Sequence, residues 1–278
     1  MLRQRVTTAL IMAGLFVAGI TFLPLNGLAA VFALLVLAGG WEWSRLAGWD
    51  SVAARVVFVI VLAALLLALY FHCQLGEAPP RERVQPVLGL ACLWWSFALL
   101  WVKSYPGSAV IWRNRPMRSM IGLLILAPAW MAAVYLLSFP RGGLLVVIMV
   151  AVVAAADIGA YFAGKSLGKH KMAPDVSPAK TWEGFWGGVL AVVLVGLLLW
   201  YLRPAHSAHI SLLSVLAVVL TTSLASVVGD LSVSMVKRES GAKDSGSMLP
   251  GHGGVLDRLD SLCGAAPVFA LGLLLAGW

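Results

Sequence analysis

Charge is scarce in this chain. Asp, Glu, Lys and Arg make up 12% of its 278 residues and apolar side chains 61%, against about 25% and 45–50% in a soluble domain. With a mean hydropathy of +0.93, that composition excludes a water-soluble globule and requires lipid contact. Cysteine is scarce too. Cys73, Cys92 and Cys263 show no CxxC spacing, which argues against a disulfide frame or a zinc site, and Cys92 and Cys263 sit in apolar runs as packing residues. Also missing are an internal repeat, a low-complexity tract and a visible catalytic triad. There is no GxxxxGKS/T or GxGxxG frame, so glycine-loop nucleotide binding of those two kinds is unsupported.

What the chain has is apolar runs of membrane length. Arg3 and Arg5 precede a run over 6–23, and Pro24 leads into a second apolar stretch ending at Gly40. A signal peptide begins in the same way, but no hydrophilic mature start follows, so the reading is a helical hairpin turning near 24–27. Further spans are expected at 52–71, 84–102, 119–138, 143–162, 184–202, 210–228 and 259–278. The expected fold is an all-α polytopic integral membrane helical bundle of about nine transmembrane helices. It forms one membrane domain, with residues 1–140 as a lipid-side scaffold and 141–278 carrying the long polar loops.

The basic residues orient this bundle. With the N-terminus cytoplasmic, sixteen of the 20 Lys and Arg fall on the cytoplasmic side, leaving Arg81, Arg83, Arg141 and Arg203 outside. The net charge of +8 therefore faces anionic head groups and nucleotides rather than nucleic acid. The loop 103–118, with Tyr105 and Trp112 among its cations, reads as an interfacial anchor. Trp41, Trp43, Trp94, Trp95 and Trp182 read as an aromatic belt. Two long cytoplasmic loops, 164–183 and 230–258, are the working parts.

Ionisable groups at membrane depth are costly and mark function. Glu42, near the end of the second span, has Arg45 one turn later as an ion-pair candidate. Asp157 lies among small residues with no Lys or Arg within a turn, so its partner must come from elsewhere in the fold. The interval 230–260 holds five carboxylates (Asp230, Glu239, Asp244, Asp257, Asp260) and four cations (Lys237, Arg238, Lys243, Arg258). Such a mixture suits a metal together with phosphates. Asp257 and Asp260 are spaced to share a helix face. Capping is one reading of them; with Asp230, Mg²⁺ coordination through oxygen ligands is the favoured one. The PGHGG turn, with His252, Gly253 and Gly254, offers backbone N–H groups to a phosphate. Lys165, Lys169, Lys171 and Lys180, interleaved with Ser177 and Thr181, read as an anion-binding loop.

The stretch 234–260, SMVKRESGAKDSGSMLPGHGGVLDRLD, resembles the signature of the phosphatidate cytidylyltransferases (CDP-diacylglycerol synthases). Its Ser, Lys-Arg, Lys-Asp, Pro-Gly-His-Gly-Gly and Asp-Arg-x-Asp elements stand without a gap. DIGAYFAGKSLGKHK, SPAKTWEG and the GDL before the signature are similar to the same family. The likeness covers roughly 150–278, and the first half matches only as apolar spans. The resemblance implies transfer of CMP from CTP to phosphatidate with Mg²⁺, in a homodimer within a bacterial inner membrane, with the active site on the cytoplasmic side. On that basis Asp230, Asp257 and Asp260 are expected to carry the metal, with Asp157 and Asp244 as further candidates. Lys180, Lys237, Arg238, Lys243 and Arg258 are expected to bind phosphates. Ser234, His252, Gly253 and Gly254 join Lys165, Lys169, Lys171, Ser177 and Thr181 around the substrates. An ion transporter using Asp157 and Glu42, and a CTP-dependent lipid kinase, are the alternatives.

Overall fold

A computed structural model describes residues 2–203, 210–249, 251 and 253–277. Helices α1 (Leu2–Phe22), α2 (Leu25–Leu46), α3 (Val52–His72) and α4 (Arg81–Lys103) are followed by a short α5 (Ala109–Trp112). Then come α6 (Arg115–Leu137), α7 (Gly142–Leu167), a hairpin of β1 (Lys171–Ala173) and β2 (Ser177–Thr181), α8 (Trp182–Tyr201), α9 (Leu212–Glu239) and α10 (Leu256–Ala276). The bundle is all-α apart from that hairpin, an antiparallel pair with Lys171 opposite Thr181. Helices are required because lipid offers backbone groups no partners. The chain starts several of them with side-chain caps: Ser51 for α3, Asn114 for α6, Thr181 for α8 and Ser211 for α9.

Eight helices, α2 to α4 and α6 to α10, are long and apolar enough to cross a membrane, while α1 has a shorter apolar part, Leu10–Phe22. The largest departure from the expected spans is α9. The apolar run ends near 228, yet the helix continues through Glu239, so the interval 230–239 is helix and not loop. Residues 231–237 are all buried, and neighbouring helices satisfy the polar extension that water would otherwise unwind. Thr222, Ser226 and Ser232 return their hydroxyls to carbonyls of their own helix, the local solution for a hydroxyl in an apolar setting.

The core centres on α6, packed against α2, α3 and α10. Trp43 is fully buried and donates Nε1–H to the Arg118 carbonyl at 2.8 Å, and Trp94 and Trp95 are also buried. Those three indoles are core residues rather than parts of an aromatic belt, whereas Trp182 is exposed. Trp112, expected at the membrane interface, is likewise buried, stacked on Tyr105.

Helices α9 and α10 approach one another at two glycines. A methyl on Gly264 of α10 would overlap the Ala225 carbonyl of α9, and one on Gly229 would meet the Asp260 carbonyl at 2.6 Å. Small residues permit this close crossing, and it brings Asp230 and Asp260, each next to or one turn from a glycine of the pair, to the same depth. Gly264→Ala should therefore part α9 from α10. A displacement near 1 Å can cost about 10²-fold in rate, so activity should fall by at least about tenfold. Gly14→Ala, where nothing lies within 4 Å, should leave activity unchanged when both variants are assayed side by side.

Candidate active site

The ends of α2, α4, α7 and α9 and the starts of α3, α6, α8 and α10 meet at one end of the bundle. Cross-links between them include Arg45 Nη2 donating to the Ser245 carbonyl at 2.7 Å, Tyr105 Oη to Glu239 at 3.3 Å and Arg238 Nε to the Val176 carbonyl at 3.2 Å. Tyr105 is held in its neutral form by burial and by the neighbouring Glu239 charge, which together raise its phenol above the ordinary value. Thus the loop 103–118 is docked on the end of α9.

Helix α9 places Asp230, Ser234 and Lys237 at i, i+4 and i+7, along one face. Ser234 does not bond back to its own helix backbone; its hydroxyl donates to Asp230 Oδ1 at 3.1 Å. Lys180, at the end of the hairpin, reaches Asp230 Oδ2 at 2.6 Å. Asp157 of α7 opens into a cavity of about 350 Å³ that also involves Lys165, Lys180, Thr181 and Ser223. The charges of Lys180 and Asp230 both act on it. These are the partners from elsewhere in the fold that its sequence neighbourhood lacks. The remaining walls, from α7, α8 and α9, are mostly apolar, with Tyr161, Phe185 and Val227 among them. The result is an apolar cleft with acid and base at one end.

Helix α10 contributes Asp257 and Asp260, which do different things. Asp257 Oδ1 accepts from Lys237 Nζ at 2.8 Å, and both side chains are less than a tenth exposed. The same carboxylate takes the Ser245 N–H at 2.9 Å and the Gly254 N–H at 3.0 Å. Of the two readings of Asp257, capping is the one that describes its contacts, because its oxygens are filled by protein donors. Asp260 is 8% exposed. Among the described residues its carboxylate accepts only the adjacent Ser261 N–H, at 2.9 Å, and it feels the charge of Asp230.

The other expected site residues divide by position. Lys169, Lys171, Lys243, Asp244 and Arg258 are exposed at the same end of the bundle. Asp244 is not gathered with Asp230 and Asp260, and no group of three His, Cys, Asp or Glu is placed to hold a cation among the described residues. Arg238 is exposed and tied to Val176 and Ala242, so it braces the hairpin. The Thr181 hydroxyl caps α8 through the Gly184 N–H at 3.1 Å, and Ser177 pairs within the hairpin. The Gly254 N–H, expected to face phosphate, is committed to Asp257, while Gly253 lies at φ +80°, a conformation that suits glycine. His252 lies outside the described residues. Glu42 and Arg45 do not pair with each other; both reach the 245–256 segment. Ser245 was missed, and its only sequence signal was its place between Asp244 and Gly246 in the signature.

A divalent cation fits this arrangement. Asp230 and Asp260 act on one another electrostatically where α9 and α10 cross; Lys180 already partners Asp230, while the Asp260 carboxylate has a single neutral hydrogen bond among the described residues. Two protein oxygens are few for calcium. They suit Mg²⁺, which keeps waters and phosphate oxygens in its shell.

The sequence model of the Cytidylyltransferase family matches residues 3–276. A phosphatidate cytidylyltransferase from Pseudomonas aeruginosa is 44% identical over 278 residues, covering 100% of this chain and 99% of the relative. One from Haemophilus influenzae is 37% identical over 284 residues, covering 97% and 98%. One from Brucella suis is 48% identical over 132 residues, covering 48% of this chain. The whole length of the chain, first half included, therefore belongs to the cytidylyltransferase family.

Proposed function

We propose that this membrane enzyme transfers CMP from CTP to phosphatidate, giving CDP-diacylglycerol and pyrophosphate for phospholipid synthesis. The observation that carries the reading is an apolar cleft whose polar end holds Asp157, Lys165 and Lys180, with Lys180 bonded to Asp230 of α9. A lipid phosphate with its acyl chains and a nucleotide triphosphate require just that combination. Phosphatidate, a phosphomonoester with a second pKa near 6, is largely dianionic at neutral pH and needs little general-base help. Its oxygen attacks the α-phosphorus of CTP, the α–β bridging bond breaks, and pyrophosphate leaves with the electron pair.

The protein supplies alignment and charge. Asp230 and Asp260 would hold Mg²⁺, which when bound neutralises phosphate oxygens and stabilises the departing pyrophosphate, while Asp157 faces the adjoining cleft. Lys180 and Lys165, at the cleft, steady the phosphates. Arg258, Lys243, Lys169 and Lys171 draw CTP to the surface around it. Lys237 and Asp257 keep the α9–α10 connection in shape, and Gly253 lies on the triphosphate path.

The face bearing the site is the cytoplasmic one, in a bacterial inner membrane. The support is charge: Lys and Arg crowd that end of the bundle, while Arg81, Arg83, Arg141 and Arg203 stand at the other. On this reading α1 is a ninth span with its start in the cytoplasm, and the family resemblance points to a homodimer. The charged groups gather at one face and not at the midplane, which disfavours a transporter. The experiment uses purified protein, phosphatidate and CTP labelled separately at the α- and γ-phosphates. Label from the α-position should enter the lipid, with Mg²⁺-dependent pyrophosphate release. Label from the γ-position in the lipid would make the enzyme a kinase and end this reading.

A further inference from the structure

Glu42 stands in the half of the chain whose sequence reads only as apolar spans, yet it is 3% exposed and its carboxylate is surrounded by the α9–α10 connection. Oε1 accepts the Val255 N–H at 3.1 Å. Oε2 accepts the Leu256 N–H at 2.9 Å and the Ser245 hydroxyl at 2.8 Å. Gly246 and Gly254 close over the same carboxylate so tightly that a methyl on either would strike it. One turn on, Arg45 holds the Ser245 carbonyl at 2.7 Å.

These contacts answer a problem in the local backbone. The residue before α10, Val255, offers no side-chain cap, so the first N–H groups of that helix need acceptors from elsewhere. Asp257 takes the Gly254 N–H from within. Glu42 takes the next two from a helix more than 200 residues earlier, where its negative charge also meets the positive end of the α10 dipole. A buried carboxylate is tolerated only when hydrogen bonds replace its water, and three donors do so here. Ser245 is the shared piece: its N–H goes to Asp257, its hydroxyl to Glu42 and its carbonyl to Arg45. Ser245 and residues 254–256 are thus pinned from two sides.

We infer that Glu42 is a positioning residue for the transfer reaction, fixing Ser245 and residues 254–256 so that Asp260 stands in register with Asp230. Glu42 itself touches neither substrate nor metal; it acts through Ser245 and the start of α10. The inference rests on the reading of this connection as catalytic.

The test compares Glu42→Gln, Glu42→Asp, Ser245→Ala and Asp260→Asn, in kcat and KM for CTP per folded molecule and in amide hydrogen exchange along the chain. The uncharged Glu42→Gln places an NH₂ group against donors. It should lose about 10–100-fold in kcat, the scale at which supporting shells act. Its exchange should quicken at 244–256 and stay slow in α6. Glu42→Asp, which keeps the charge one methylene back, should recover part of the rate. Ser245→Ala, a milder cut that keeps the fold, should lose about 3–10-fold on the same scale. Wild-type kcat in Glu42→Gln and Ser245→Ala, or exchange quickened throughout with kcat per folded molecule intact, overturns the inference provided Asp260→Asn is inactive. If Glu42→Gln does not accumulate, Ser245→Ala alone decides. Wild-type turnover in Asp260→Asn instead removes the catalytic reading beneath it.

Discussion

Asp260→Asn should abolish CMP transfer while leaving a folded, membrane-inserted protein. The substitution keeps the shape of a side chain that is 8% exposed and, among the described residues, bonded only to the Ser261 N–H. The amide oxygen can accept that bond equally well, so folding loses little. What disappears is a negative charge facing Asp230, and with it half of the proposed Mg²⁺ ligation. Removal of one preorganised electrostatic group costs about 10²–10³-fold elsewhere, and loss of a metal ligand should reach at least the upper end. The thermal midpoint should stay put or rise, because the buried one of two like charges has gone and the partly exposed Asp230 keeps Lys180. Turnover in detergent with saturating phosphatidate, measured across a Mg²⁺ titration, checks this. A rate restored by tenfold more Mg²⁺ would show ligation weakened rather than lost, and wild-type turnover at ordinary Mg²⁺ would sink the assignment.

Lys237→Met should fail in the opposite way, by stability first. Lys237 and Asp257 form an ion pair at 2.8 Å with side chains 9% and 7% exposed. Removal of one partner from such a pair leaves the other buried without compensation, a cost of about 3–5 kcal/mol. Asp257 would keep its N–H bonds from Ser245 and Gly254, so the connection should loosen rather than vanish. Denaturation of the purified variant should begin at markedly lower temperature, and the activity left in the folded fraction should be well above that of Asp260→Asn. The paired replacement Lys237→Met with Asp257→Leu removes both charges and should regain part of the stability but not the activity, because the Ser245 and Gly254 donors are then unmet. A single variant as stable as the parent would show that Lys237 is not held in this pair.

Much of the bundle could be read from hydropathy, because lipid punishes polar residues in proportion to depth and the apolar runs are therefore long. Helix ends were less legible. The α9 helix runs eleven residues past its apolar stretch since its polar turns are buried by α10 and α4, and hydropathy carries no information on neighbours. For the same reason buried indoles such as Trp43 could not be told from interfacial ones. The hairpin over 171–181 hides behind Pro174 and Pro178, residues that read as loop. Within the site, the motif spacing led to Asp230 and Asp260, whose partners are a helix crossing apart. The division of labour between Asp257 and Asp260 is set by where Lys237 and Ser245 point, and no i, i+3 rule contains it. Glu42 stood out as a costly charge, but the nearest cation, Arg45, was the wrong partner. Its donors lie more than 200 residues downstream, beyond any local pattern.

That separation has a temporal side. Chains emerge from the ribosome N-terminus first, and α2 reaches the bilayer when α10 is still unmade. Until the α9–α10 connection and the start of α10 arrive, the Glu42 carboxylate lacks its three donors, and a charge without partners in lipid is poorly tolerated. During that wait the end of α2 must stay near water. The lock that completes the site is therefore also the last to close: a chain that lacks α10 carries this acid without its full set of donors, and the end of α2 reaches its final setting only once the last helix is in place.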